Sequence, residues 1–298
     1  MAGCAILFVF NFVTITSLLF YRRVRQQVTL LFILSVNFAD LIYSIFVLPM
    51  LATRYYTRQS ESEVWSGLCK LFPTLFYLVL GASILSLMSV TINRTCILLF
   101  QERTEKIFNG RMRNLIVLLC WILPFAFLLP SILGLYGTMD QKPYTQSCTI
   151  RPDEDGRSPK TLIYNIFIFV PCTVMIICNI IILVKVKVIA HSGTISENRK
   201  AENIFILMLF MVFLFFVLTL FPSWAVDHFD KCFQHPTIHA IAYMLNWTGV
   251  IINPIIFMVT QRSYREAVRG LFKRLFVRVQ KKDTIESTVM HVESFVND

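Results

Sequence analysis

The sequence predicts an all-α membrane protein, a seven-transmembrane helix bundle followed by a short amphipathic eighth helix. Composition is the first reason. Of 298 residues 56% are hydrophobic and the mean hydropathy is +0.63, too apolar for an ordinary soluble domain. Second, charge-free or nearly charge-free runs recur at 2–21, 26–53, 71–93, 114–139, 161–184, 203–226 and 232–261. Each is about as long as the 20 residues that a membrane helix needs. Third, the basic residues gather in alternate connections: 22–25, 94–113, 185–200 and 262–282 hold 20 of the 28 Lys and Arg. Basic connections stay cytoplasmic, so the N-terminus is expected outside and the C-terminus inside. The net charge of +10 then reads as topology and attraction to anionic lipid, not as nucleic-acid binding.

Taken in order, the helices are expected at about 2–21, 28–53, 68–100, 112–136, 161–188, 199–226 and 236–259. The first carries Asn11 mid-run, and a buried Asn finds partners on other helices. The run lacks a basic leader and a small-residue cleavage site, so it does not read as a secretory signal. The second carries Asp40 near its middle, where a carboxylate costs several kcal/mol unless paired or protonated and is a functional candidate by default. A protonated acid hydrogen-bonded inside the bundle is the competing reading. The third has no charged side chain between Lys70 and Arg94. Its backbone must therefore satisfy itself as a helix in lipid. The 25 steps from Cys69 to Arg94 make roughly 37 Å of helix, so the cysteine emerges at one face and the arginine at the other.

The fourth helix follows a charged inner loop, Gln101–Arg113, and carries Trp121 and Pro124, with Pro130 kinking its outer end. The outer loop around Cys148 is polar and turn-rich. Pro171 marks the fifth helix. The sixth is rich in Phe, has Glu202 at its inner start and Pro222 further out, and the seventh ends in Asn253-Pro254-Ile255-Ile256-Phe257. Tyr264, Val268, Leu271, Leu275 and Val279 recur at helical spacing among basic residues, the pattern of an amphipathic helix, expected over 261–278, on the inner leaflet. No cysteine follows Cys232, which leaves no palmitoyl anchor there. The tail, 281–298, is polar and expected to be disordered, with Thr284, Ser287, Thr288 and Ser294 as phosphosites. Among the eight cysteines, Cys4, Cys96, Cys120, Cys172 and Cys178 lie in apolar runs and read as packing. Cys69, Cys148 and Cys232 fall on the oxidising side, where a bridge forms.

These landmarks, Asn11, Asp40, Cys69, Arg94, Trp121, Cys148, Pro171, Pro222 and Asn253-Pro254, fall in the order seen in rhodopsin-like G-protein-coupled receptors, which the chain resembles over nearly its whole length. The strings LCKLFPTLFY, TINRT, PSILG, SCTIRPDEDGRSPKT and NPIIF are similar to the invertebrate moody and trapped-in-endoderm group of orphan receptors. Melatonin receptors are a more distant likeness. The resemblance implies a longer start ahead of Met1 and a Cys69–Cys148 bridge, with Cys232 left unpaired or facing lipid. It gives Asn93-Arg94-Thr95 the place of the usual acid-Arg-Tyr triplet and Phe257 that of the tyrosine in Asn-Pro-x-x-Tyr. Arg94, with Asn253, Pro254 and Phe257, is then expected to hold the resting helix packing and to turn to the G protein when the sixth helix swings out. A snorkelling arginine is the plainer reading. Asn93 cannot form the neighbouring ion pair, so an Arg94–Glu202 latch is the expected substitute. Leu220 stands where relatives place a Trp, and Asn179 where they place a Tyr.

Asp40, Ser83, Asn11 and Asn253 are expected to converge mid-bundle. Hard oxygen ligands on separate helices could hold a sodium ion there, as the family's inner pocket does, against a water-bridged acid; Gly249 adds no side-chain oxygen. No other cofactor and no metal centre is expected. The ligand pocket is read from helix faces: Phe76, Leu80 and Ser83 at i, i+4, i+7, Trp224 and His228 at the outer end of the sixth helix, and His239, Tyr243 and Trp247 on the seventh. A core stripe of aromatics is the competing reading. Phe76 occupies the place of the amine counter-ion and Trp247 that of the retinal lysine, so the expected ligand is neither a cationic amine nor retinal but an apolar or lipid-like molecule. The outer histidines lack a paired nucleophile or ligand spacing, so no enzyme is expected. The implied partners are a heterotrimeric G protein, arrestin, a receptor kinase and membrane lipid at the plasma membrane. The alternatives are a receptor-like decoy that no longer couples, or a transporter, though repeats and interrupted midplane helices are not visible.

Overall fold

The computed structural model describes residues 2–20, 28–50, 63–100, 102–141, 148–153, 159–191, 197–229, 234–260 and 264–273. They form α1 (Ala2–Phe20), α2 (Val28–Ile42, running on through Tyr43–Val47), α3 (Glu63–Phe100) and α4 (Gly110–Ile132). After the strands β1 (Thr138–Gln141) and β2 (Cys148–Arg151) come α5 (Pro159–Tyr164, Asn165–Phe169 and Val170–His191), α6 (Glu197–Phe229), α7 (Pro236–Thr260) and α8 (264–273).

α3 runs through the middle of the bundle, packed against α2, α4, α5 and both strands, while α6 packs on α7 and α1 on α2. Its 38 residues extend about 57 Å, well beyond a hydrocarbon core of about 30 Å. A helix enclosed on most sides needs no polar face, and Val79, Ala82, Ile84, Leu87 and Val90 are all buried. α4 sits at the edge. Leu115, Leu118, Ile122, Leu123 and Phe125 are exposed along it, a surface suited to lipid and not to water. Among the described residues four helical stretches are by length and composition apolar enough to cross a membrane, Thr29–Met50, Leu68–Phe100, Gly110–Ile132 and Pro159–Lys187, and Phe8–Leu19 and Phe210–Val226 are shorter apolar helices.

Three connections differ from the sequence reading. α4 ends at Ile132, not at 136. Gly134 adopts φ +71°, its N–H donates to Ser131 O at 3.3 Å and that of Leu135 to Pro130 O at 2.8 Å. This pair of bonds closes the helix around a left-handed glycine. The stretch Gln101–Arg113 is not a plain loop, because Glu102–Ile107 is helical and Phe108 is buried edge-on to Phe32 at 6.3 Å. Asn109 then caps α4, accepting from the N–H groups of Arg111 and Met112, which satisfies two orphan donors of the first turn. The outer loop contains an antiparallel hairpin, the one departure from all-α structure among the described residues. Met139 pairs with Ile150, and both are buried, so the hairpin is held on its apolar face.

α2 and α5 each contain a π-helical turn. Leu48 N–H reaches back to Tyr43 O and Val170 N–H to Asn165 O, and in both helices the next residue is a proline, Pro49 or Pro171. A proline ring crowds the carbonyl four residues back, and the widened turn just before it relieves that crowding.

α8 returns to the bundle. Tyr264, Ala267 and Val268 are buried at i, i+3, i+4, and the Tyr264 hydroxyl hydrogen-bonds to Thr14 of α1. Burial pushes the Tyr264 phenol above its ordinary pKa, which keeps it a neutral hydrogen-bonding group. Arg265 donates to the carbonyls of Met258 and Val259, capping the end of α7. Residues 261–263 and 274–278 of the expected amphipathic helix, and the tail at 281–298, lie outside the described residues.

Candidate functional site

The site is built at three depths along α3. At its outer end the buried Cys69 is bridged to Cys148 of β2, with Cα atoms 5.0 Å apart and a sequence separation of 79. The hairpin is thereby fixed over the bundle, and the Thr74 hydroxyl donates to Met139 Sδ at 3.1 Å. Asp140 and Arg151 form an exposed ion pair at 3.3 Å, a contact worth at most about 1 kcal/mol. Cys96, Cys120, Cys172 and Cys178 are free; Cys232 is outside the described residues.

The residues expected to line a ligand pocket lie on α3, α6 and α7. Phe76 is half-buried among the rings of Tyr43, Phe72 and Tyr77 at 5.1–6.4 Å, and Leu80 packs on the core a turn below. Trp224 meets Phe169 of α5 edge-on at 5.2 Å and stacks on His228 at 5.4 Å. Its neighbours Phe221 and Phe229 are exposed, so this cluster closes the outer α5–α6 seam. His239 is buried and Tyr243 half-buried on α7. Trp247 lies on α7 with its side chain outside the described part, as do the side chains of Glu202 on α6 and Phe257 on α7.

At mid-depth Asn253 Nδ2 donates to Asp40 Oδ2 at 3.2 Å, and both residues are buried. This tie joins α7 to α2. Asn11 of α1 and Ser83 of α3 are also buried. A second polar joint was not anticipated from sequence: Trp121 Nε1 of α4 donates to Ser35 Oγ of α2 at 3.0 Å, and the Ser35 and Ser86 hydroxyls are 2.9 Å apart. Three helices meet at one hydroxyl. Ser35→Ala is expected to cost about 1–3 kcal/mol by taking a partner from the half-buried indole donor and from the buried Ser86 hydroxyl, measurable as a lower melting temperature of the purified protein; an unchanged value would mean that both groups find other partners.

At the inner end Asn93 is 1% exposed and its Oδ1 accepts from the Thr29 hydroxyl of α2 at 3.1 Å. The neutral amide thus turns to α2. Arg94 is half-buried, and the buried Thr95 hydroxyl returns to Thr91 O at 2.9 Å. Leu220 is buried in the core, and Asn179 is buried with no hydrogen-bond partner for its Nδ2 among the described residues. A serine or threonine in an apolar run gives no sign of which neighbour it faces, which is why Thr29, Ser35 and Ser86 escaped the sequence reading.

A long central helix, bridged at one end to a hairpin and carrying an arginine toward the other, with a polar joint between α2 and α7, defines a seven-helix receptor. Residues 10–257 match the family of 7 transmembrane receptors (rhodopsin family), and the chain belongs to that family of G-protein-coupled receptors. Protein trapped in endoderm-1 of Drosophila melanogaster is 30% identical over 292 residues, covering 89% of this chain and 74% of that protein. The G-protein coupled receptor moody of the same species is 25% identical over 325 residues, covering 87% of this chain but only 48% of the relative, so the chain spans about half of that receptor's length. Melatonin receptor type 1C of Xenopus laevis is 22% identical, covering 89% and 64%. These are the groups whose strings the sequence resembles. The protein is a multi-pass membrane receptor whose family implies a G-protein partner.

Proposed function

We propose that this receptor lies in the plasma membrane with its N-terminus outside and its C-terminus in the cytoplasm, and converts an extracellular, non-amine, apolar or lipid-like ligand into activation of a heterotrimeric G protein. The observation that supports this reading is the inner end of α3, where the neutral Asn93 is buried and tied to α2 through Thr29 beside the half-buried Arg94. Arg94 is the residue that engages the G protein; Asn93, Thr95, Asn253, Pro254 and Phe257 position the helices around it, and Glu202 latches it at rest. A ligand acts by favouring one of two packings. Phe76, Leu80, Trp224, His228, His239, Tyr243 and Trp247 are the ligand-facing candidates, with Phe76 and its ring neighbours supplying the apolar wall. The basic α8 region attracts anionic inner-leaflet lipid, and the tail hydroxyls serve a receptor kinase and arrestin. A panel of G-protein biosensors with the full-length chain tests the core of this: Arg94→Ala is expected to abolish the ligand-free or evoked response at equal surface density. A response that survives the substitution removes Arg94 from its role, and silence of the parent chain with every G protein makes it a non-coupling receptor.

The family's inner sodium site fits this chain in part. Asp40 and Ser83 offer hard oxygens in a buried setting, Asn253 already donates to one Asp40 oxygen, and Asn11 is buried on α1. We propose Asp40 and Ser83 as the residues that would hold the ion, with Asn11 in support. Sodium chloride in place of choline chloride is expected to raise the melting temperature of the purified receptor, and Asp40→Asn to erase that rise. Equal melting in both salts would leave Asp40 as a purely hydrogen-bonded group.

A further inference from the structure

α6 is weakest around Pro222, which has no N–H to give to the carbonyl of Leu218. Two contacts to α7 straddle that point. One residue outward, Asn246 Nδ2 donates to Ser223 Oγ at 3.0 Å, and the same hydroxyl donates to Leu220 O at 2.8 Å. One turn inward, α7 has Gly249 against Thr219: a Cβ at Gly249 would lie 2.7 Å from Thr219 Oγ1 and 3.3 Å from Thr219 Cβ. Only a residue without a side chain lets the helices approach this closely. The Thr219 hydroxyl is itself fixed, donating to Phe215 O at 2.8 Å. Ser223 and Thr219 are four apart on α6, Asn246 and Gly249 three apart on the antiparallel α7, so both contacts lie on one stripe. Four residues beyond Gly249, Asn253 reaches Asp40 of α2.

We propose that Ser223–Asn246 and Thr219–Gly249 form a clasp that fastens the proline-weakened turn of α6 to α7 and holds the receptor in its resting state. α7 then acts as a strap: its outer half is tied to the hinge of α6 and its inner half to Asp40, so the inner end of α6 swings out only when the clasp yields. The clasp restrains α6 where Leu220 replaces the usual tryptophan. The inference concerns regulation of the receptor described above and rests on that reading for its signalling consequence, but not for its mechanical one.

The test uses the full-length receptor in lipid nanodiscs, with spin labels at the inner ends of α3 and α6, beside ligand-free G-protein biosensor output in cells at matched surface density. Asn246→Leu removes the outer tie, and Gly249→Ala wedges the inner one. Each is expected to move the label pair outward and to raise ligand-free output about fivefold, the equilibrium shift equivalent to one net hydrogen bond. Thr219→Ala combined with Gly249→Ala makes room for the added methyl and is expected to bring both readouts back to within about twofold of the parent, because contacting residues are not additive. Unchanged label distances in both single variants, or a double variant whose shift is the sum of its parts, overturns the clasp. If Gly249→Ala fails to insert, Asn246→Leu alone decides. An outward shift with no G-protein response supports the clasp and counts instead against coupling.

Discussion

Cys148→Ser is expected to strip most of the receptor from the cell surface and to lower its stability by about 2–5 kcal/mol, the usual range for loss of a native bridge. The bond closes a loop of 79 residues, so the unfolded chain gains a large conformational freedom when it is removed. The folded side also suffers. β2 is anchored through Cys148 to the buried Cys69 at the outer end of α3, and its apolar contribution, Ile150 opposite Met139, is small. A two-stranded hairpin alone is marginal in water. Surface-to-total antibody ratio and thermal inactivation of the purified protein check the prediction, with Cys172→Ser on α5 as a control for loss of a free thiol. Surface display equal to the parent would mean that Met139, Ile150 and Thr74 hold the hairpin unaided.

The second large effect is an asymmetry at the α2–α7 joint. Asn253→Leu is expected to destabilise by about 1–3 kcal/mol, whereas Asp40→Asn should cost well under half as much in choline buffer. Asn253 Nδ2 donates to Asp40 Oδ2 in a buried setting. Leucine at 253 strands an acceptor that has left water, while asparagine at 40 still offers an oxygen to the amide. Melting temperatures of the two purified variants measure the difference. Equal losses would mean that Asp40 has other partners of comparable strength, and the strap from α6 through α7 to α2 would lose its inner anchor.

Much of this molecule was legible in the chain because lipid is an unforgiving solvent. Backbone groups without water must pair internally, so long apolar runs had to be helices, and one charge-free rod had to put Cys69 and Arg94 at opposite ends. The order of Asp40, Arg94, Trp121, Pro222 and Asn253 then gave the family. Chain ends of elements were less readable. Gly134 closes α4 early through two backbone bonds, and the hairpin forms in a stretch whose polar, turn-rich composition concealed Met139 and Ile150.

What the sequence determined by itself was which segments enter the membrane and what kind of receptor they make, since both follow from hydropathy and from spacing along one dimension. What only the tertiary structure decided was the partner of each polar group inside. Asn93 could as well have faced solvent, yet it takes a bond from Thr29; Ser35 could have been filler, yet it joins three helices; Gly249 reads as a missing ligand, yet it is the gap that admits Thr219. Helical rotation sets each of these, and a turn of about 100° per residue leaves a short polar side chain free to meet any neighbour until the bundle has packed.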